Sequence, residues 1–216
     1  MSSRNSFLLV AICFLGLWFA AGKVCAEPPG LDTQTNAPAF HASLKSEPVV
    51  GGTNVKPVQR AFLTSGTNKF AFLVPEDFRA DASLPNKLVL SSPDYGCFIS
   101  VRFSAAKPPE TEVLQLESWR NQALTEFPSA TISSEFSIHA AGHSGPAYEL
   151  QWTNPSGTGE SACAVFIPFA AGVLEFSLLT HSDKYADGRF FFQALLLSLQ
   201  CNESGQFEIL PIFGNS

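Results

Sequence analysis

The sequence predicts an α+β fold: an α/β/α sandwich with a central antiparallel sheet of about six strands and two main helices. Three observations predict it. Residues 145–181, GPAYELQWTNPSGTGESACAVFIPFAAGVLEFSLLTH, hold three strand-like runs separated by short turn clusters, and short connections favour antiparallel neighbours. Two apolar helical patterns flank the strands, and each needs an apolar face to cover. Outer strand positions such as Leu174, Phe176 and Leu178 are as apolar as the inner strand positions, which slightly favours a sheet covered on both faces.

The elements follow in order. Phe7–Gly22 is a 16-residue apolar run behind Arg4, and Val24-Cys25-Ala26 offers the small residues a signal peptidase reads. Residues 1–26 are therefore expected to be a secretory signal peptide cleaved after Ala26. The run falls short of the roughly 20 residues that span a bilayer; an uncleaved anchor is the rival reading. Lys23-Val24 fits a lipoprotein cysteine badly. Loss of Arg4 and Lys23 with the leader moves the formal charge from −6 to −8. That balance argues against nucleic acid or anionic lipid as a general partner, and leaves membrane contact to the leader alone, if it stays. The expected location is exported, either periplasmic or extracellular.

Residues 27–68, rich in Pro, Ala, Thr, Ser and Gly, are expected to form a mobile tether, with Glu47–Thr67 partly ordered at best. The domain proper is expected over 69–203. FAFLVP sets Phe70, Phe72 and Val74 on one parity before Pro75 halts the strand. Lys87–Ser91 and Cys97–Ser104 form a hairpin around Ser92-Pro93-Asp94-Tyr95-Gly96. Cys97, Ile99, Val101 and Phe103 face in, and Ser100, Arg102 and Ser104 face out. Glu110 to Phe127 is the first helix, with Leu116, Trp119, Ala123 and Phe127 as its docking stripe and Glu110 and Glu112 favouring its dipole. A strand over Ala130–His139 turns through 140–145 into Pro146–Thr153, Ser161–Phe169 and Val173–Leu179. The last helix runs from Asp187 or Gly188 to Leu199. FFFQALLLSL is apolar nearly all round, so its burial is expected to be high. Residues 204–216 form the tail, with a short edge strand suggested at Phe207–Leu210.

Three cysteines survive cleavage: Cys97, Cys163 and Cys201. An exported chain permits disulfides, and an odd number leaves at least one thiol over. Cys163–Cys201 would close a loop of about 39 residues and stabilise by roughly 4 kcal/mol. Cys97–Cys163 is worth a similar amount, and three small buried thiols are the alternative. The absence of a Cys-x-x-Cys pair argues against a thioredoxin-like site.

At this point the phrases FAFLVPEDFRADA, KLVLS with GCFISVRF, the helix ending at Phe127, GPAYELQWTN and VLEFSLLTHSDKY…FFFQALLLSL resemble the PsbP-like superfamily, which includes PsbP, DcrB-type envelope proteins and a Ran-binding import factor. The resemblance covers about residues 69–200. It implies an α/β/α sandwich around an antiparallel sheet and a non-enzymatic accessory or binding role. A loop tyrosine and a C-terminal helix ending near a serine correspond here to Tyr185 and Ser198.

No catalytic set is legible. Of His41, His139, His143 and His181, the pair His139 and His143 flanks a turn and would start a metal site only if both faced one side. His181, Ser182 and Asp183 are consecutive, which a Ser/His/Asp triad is not. Gly157-Thr158-Gly159-Glu160-Ser161 has neither the order of a nucleophile elbow nor the lysine of a phosphate loop. Glu76, Asp77, Asp81 and Asp94 are acidic loop residues with no diagnostic spacing for acid/base work or calcium. The expected function is an exported, non-enzymatic accessory or binding module acting on a protein of the cell envelope or a small ligand, with no cofactor. The alternative is a metal-assisted hydrolase whose site assembles only in three dimensions.

Overall fold

Strand alternation resolves into two antiparallel sheets. A computed structural model describes residues 40–48, 56–84, 86–105, 112–169 and 172–202, all within one compact unit, Ala37–Ser216. The leader, residues 27–39 of the tether and the 204–216 tail with its suggested edge strand lie outside the described residues. The order is β1 (Phe40–Glu47), β2 (Val58–Ser65), β3 (Asn68–Leu73), β4 (Arg79–Asp81), β5 (Lys87–Ser91), β6 (Cys97–Ala105), α1 (Glu112–Glu126), β7 (Thr131–Ala140), β8 (His143–Thr153), β9 (Gly159–Phe169), β10 (Gly172–His181), a 3-10 turn (Ser182–Lys184), α2 (Tyr185–Leu197) and β11 (Gln200–Asn202). A four-stranded sheet has the order β1-β2-β3-β11, and a seven-stranded sheet the order β4-β5-β6-β10-β9-β8-β7.

β10 is the keystone of the larger sheet. It pairs β6 on one side, Gly172↔Ala105 to Thr180↔Cys97, and β9 on the other, Gly172↔Phe169 to His181↔Glu160. A strand flanked on both edges and covered on both faces is buried nearly throughout. The β7–β8 hairpin turns on Ala141 (φ 51°) and Gly142 (φ 83°), two left-handed positions that suit a tight hairpin. This makes β8 longer than expected, starting at His143. β7, at the sheet edge, carries a register shift between Ile132 and Ser134, of the kind that discourages further pairing.

Each face of the seven-stranded sheet has its own core. One face meets the smaller sheet and α2: Leu63, Phe70 and Phe72 pack with Ile99, Val101, Val165 and Phe176, joined by Phe192, Leu195 and Leu196 of α2. The rings of Phe70 and Phe169 meet edge-on at 4.7 Å. The opposite face takes α1, whose Trp119, Ala123 and Phe127 rest on Tyr148, Leu150, Ala162, Ala164 and Phe166. Trp119 stacks on Phe166 at 6.0 Å, and the two alanines of β9 leave it room. The helices thus lie on opposite faces.

Four expectations are corrected. Order begins at Phe40, not near Lys69, because β1 and β2 form an added sheet. β1 does alternate, with Phe40, Ala42 and Leu44 turned in, but His41 and Ser43 between them and Lys45 and Ser46 after them masked the run. In β2 the buried Arg60, held by Glu47 at 2.9 Å, breaks the apolar pattern. Leu116 of α1 is exposed rather than docked. α2 starts at Tyr185 and is not buried all round. Finally, of the two pairings weighed above, neither forms: Cys97 and Cys163 are buried free thiols, as the buried-thiol alternative has it, and Cys163 lies in the larger sheet while Cys201 lies in the smaller one.

Candidate functional site

α2 is apolar on two sides, and only one is used by the core. Gly188 lets the helix come close to the sheet: a Cβ there would touch Cys97, Leu178 and Thr180 at 3.4 Å. Phe192, Leu195 and Leu196 point into the core. On the other side Phe190 is 70% exposed and Leu197 83% exposed. Seven residues apart, they share one face two turns distant, about 10 Å along the axis. Ala186, Gln193 and Ala194 are exposed with them. Leaving two large apolar side chains in water on a well-packed helix forgoes about 1.5–3 kcal/mol each, which makes this face the candidate interaction surface.

The stripe is presented on a fixed support. Ser198 ends α2, donating from its hydroxyl to the Leu195 carbonyl (2.7 Å) and accepting from the Leu73 amide (2.9 Å), which ties the helix to β3. Arg189 pairs with Glu149 of β8 at 2.8 Å and lies over Phe136 at 5.7 Å. Phe191 packs on Phe78 at 5.4 Å. Beneath the first turn, burial pushes the Cys163 thiol up to about 12, and nearby Glu149 adds to it. Burial, then Cys163 and Glu149, also hold the Tyr185 phenol far above its usual value. These groups are un-ionised at neutral pH. Tyr185 and Ser198 thus sit at the two ends of α2, and Ser198 is the one that ties the helix to β3.

A second concentration of polar groups lies under α1. Glu175 of β10, buried in mid-sheet, accepts from Arg102, Ser104 and, at 2.7 Å, from Gln122. Arg102 also reaches Glu126 at 2.7 Å, and Ser177 donates to Glu126 at 3.1 Å. Burial works against the Arg102 charge, but Glu126 and Glu175 outweigh it and hold its pKa above the usual value. Burial lowers the Lys87 pKa, against the pull of Glu126. Each carboxylate is committed to partners inside the fold, so the network locks the end of α1 to β6 and β10. Sequence reading placed Arg102 only on the outer parity of its strand, without a partner. The available signal was the facing pair, since Glu175 stands opposite Arg102 in register.

The residues singled out by sequence do not converge. His139 pairs with Ser144 in register and His143 with Ala140. Paired residues share a face and neighbours alternate, so the two histidines point to opposite sides of the hairpin. The proposed start of a metal site is therefore absent. His139 Nδ1 meets Ser144 Oγ at 3.0 Å, and the His143 ring packs on Phe169 at 4.4 Å. His181 Nδ1 is 3.2 Å from Glu160 Oε1. Burial raises the Glu160 pKa, opposed by His181 and Asn154. Ser182 Oγ meets Ser161 Oγ at 2.9 Å. The acids serve their own turns. Asp94 accepts from Ser92 at 2.6 Å and from the Gly96 amide at 3.1 Å, Asp81 accepts from the Ser83 amide at 2.8 Å, and Glu76 and Asp77 share Lys56. The Ser92 and Gly96 hydrogen bonds lower the Asp94 pKa. Among the described residues, no group of three or more His, Cys, Asp or Glu is placed to hold a metal, and no helix is long and apolar enough to cross a membrane. His41 borders an open cleft of about 340 Å³, between β1 and the loop after β4, with Phe40, Ser83, Leu84 and Asn86.

No family model matches this sequence, and no curated protein matches it. Solved structures show a distant likeness. The Ran-binding protein Mog1p of Saccharomyces cerevisiae aligns at 12% identity over 61% of this chain and 89% of its own, with a TM-score of 0.45. Cyanobacterial PsbP (CyanoP) of Synechocystis aligns at 12% identity over 81% of this chain and 99% of its own, with a TM-score of 0.44. A Bacteroides thetaiotaomicron protein aligns at 12% identity over 63% of this chain but only 46% of its own length, again at 0.44. Likeness of this degree carries no functional argument, so the functional reading rests on the chain's own residues.

Proposed function

We propose that this chain is an exported, non-enzymatic binding module that engages a protein of the cell envelope through the outer face of α2. The observation that carries the reading is the 70% and 83% exposure of Phe190 and Leu197 on a helix whose other face is core. Spaced two turns apart, with Ala194 between them, they form the anchor pattern of a helix laid into an apolar groove. The partner is accordingly a protein with a concave apolar groove about two helical turns long. Its rim makes polar contact with Asp187, Gln193 and Lys184, which are exposed beside the stripe.

The test is quantitative capture. The chain, produced in its own source, should retain one saturable envelope protein, and Phe190→Ser with Leu197→Ser should reduce that retention at least tenfold. Equal retention by the double variant removes α2 as the contact. Mature protein starting at Glu27 in the exported fraction is the expected result for the leader. A purified chain that starts at Met1 in the cytoplasm contradicts export.

A further inference from the structure

Among the described residues the two sheets have four edges, and three of them are guarded. The larger sheet ends on β4, only three residues long, and on β7, whose register shift spoils a regular ladder. The smaller sheet ends on β11, again three residues long. Short strands and irregular ladders are usual defences of an edge. β1 has neither. Its eight residues pair with β2 without a break, from Phe40↔Ser65 to Glu47↔Val58, and its sequence FHASLKSE holds no proline. Among the described residues β1 pairs with β2 alone. Half of its backbone N–H and C=O groups therefore point away from the sheet, in the straight row that an added strand pairs with.

A cleft opens beside the first three residues of this row. Phe40, His41 and Ala42 line one side of it, and Ala82, Ser83 and Leu84 of the loop after β4 line the other, around a volume of about 340 Å³. That is the small end of the range for ligand pockets, and its walls are apolar at Phe40, Ala42, Ala82 and Leu84. When a peptide adds to a sheet edge, backbone pairing supplies affinity and pockets for alternate side chains supply selectivity. β1 offers both.

Charge selects the occupant. His41, Ser43 and Lys45 form the exposed parity of β1. Lys45 stands opposite Arg60 in register, and like charges so placed repel. Arg60 is held by Glu47 at 2.9 Å, while no described residue forms an ion pair with Lys45. An acidic side chain on an incoming strand fills that place. A second copy of this chain does not, because its β1 brings another Lys45 and its Glu47 is committed to Arg60.

We propose that the outer edge of β1 is a peptide-binding site, where an extended segment of another protein pairs its backbone with β1, seats an apolar side chain in the cleft between Ala42 and Leu84, and sets a carboxylate beside Lys45. In an antiparallel segment the acid comes first and the apolar anchor, opposite Ala42, three residues later. The site lies on a different element from α2 and does not rest on the role proposed for that helix.

Fluorescence polarisation on the full chain tests this. The probe is a capped, labelled hexapeptide of glutamate, valine, threonine, leucine, threonine and valine in that order, which puts glutamate beside Lys45 and leucine in the cleft. Saturable binding is expected. N-methylation of every second backbone amide of the peptide should weaken binding at least tenfold on one parity and leave it nearly unchanged on the other, because strand addition uses alternate amides. Leu84→Ser should weaken it severalfold. Lys45→Glu should do the same, and exchanging the peptide's glutamate for lysine should restore binding to that variant. Both residues are exposed, so the urea midpoint should not move. Phe190→Ser with Leu197→Ser should bind the peptide like the wild type. No saturable binding, equal loss on both parities, or loss in the α2 variant overturns the proposal. So does binding that appears only once residues 27–39 are removed, or a dimer in sedimentation that Leu84→Ser dissolves, since each gives the edge to this chain itself.

Discussion

The two helices are opposites. α1 uses its apolar residues economically: Trp119, Ala123 and Phe127 are buried, and the opposite face, with Arg120 and Asn121, is wet. α2 carries more apolar surface than its site can bury: Phe192, Leu195 and Leu196 meet the core while Phe190 and Leu197 stand in solvent. Stability explains every large apolar residue of α1 from Trp119 onward but leaves two of the six in α2, Phe190 and Leu197, without a part in the core. The surplus in α2 is what requires a function.

Substitutions on the two sides of α2 break the comparison most sharply. Phe192→Ala should cost about 3–5 kcal/mol in urea unfolding, as for other buried aromatics, while Phe190→Ala should stay within about 0.5 kcal/mol. Similar losses at both would mean that Phe190 supports the fold. Under α1, Glu175→Ala leaves Arg102 facing Glu126 alone and should cost about 3 kcal/mol. The double change Arg102→Met with Glu175→Leu should recover much of that loss, so a double variant no better than the single one would show the network to be more than a lock.

The thiols beneath α2 sharpen the comparison through pH. Burial lifts Cys97 and Cys163 from 9.0 to about 12. Above pH 9 the unfolded chain releases thiol protons that the folded chain keeps, so stability falls as pH rises from 9 towards 12, by up to about 1.4 kcal/mol per unit per thiol, and these groups contribute no slope below 9. Alkaline titration of the urea midpoint checks this, and Cys163→Ala should flatten part of the slope. A slope unchanged by that substitution would contradict the burial account. Ser198→Ala should cost about 1 kcal/mol for the lost bond to the Leu73 amide, less than the core substitutions, with no change in partner capture.

Much of the fold was legible because its strands alternate and its turns are marked. β3, β5, β6, α1 and the β8–β9–β10 meander stand close to where period and punctuation put them. The smaller sheet was not, for two physical reasons. β1 alternates small and polar residues with only Phe40, Ala42 and Leu44 inward, and β2 buries a charge, Arg60, that a sequence pattern reads as exposed. The candidate site was half legible. The apolar excess of FFFQALLLSL is plain, but an all-round apolar helix is read as buried, and only packing shows which residues the core leaves out. Histidines drew attention for their chemistry, yet backbone register sends His139 and His143 to opposite faces.

The most direct test of the central claim pairs two readouts on one sample: partner affinity and urea midpoint for the wild type and for Phe190→Ser with Leu197→Ser. The account predicts an affinity loss of tenfold or more with the midpoint unmoved. Undiminished affinity, or a loss that merely follows a collapse in stability, would contradict it.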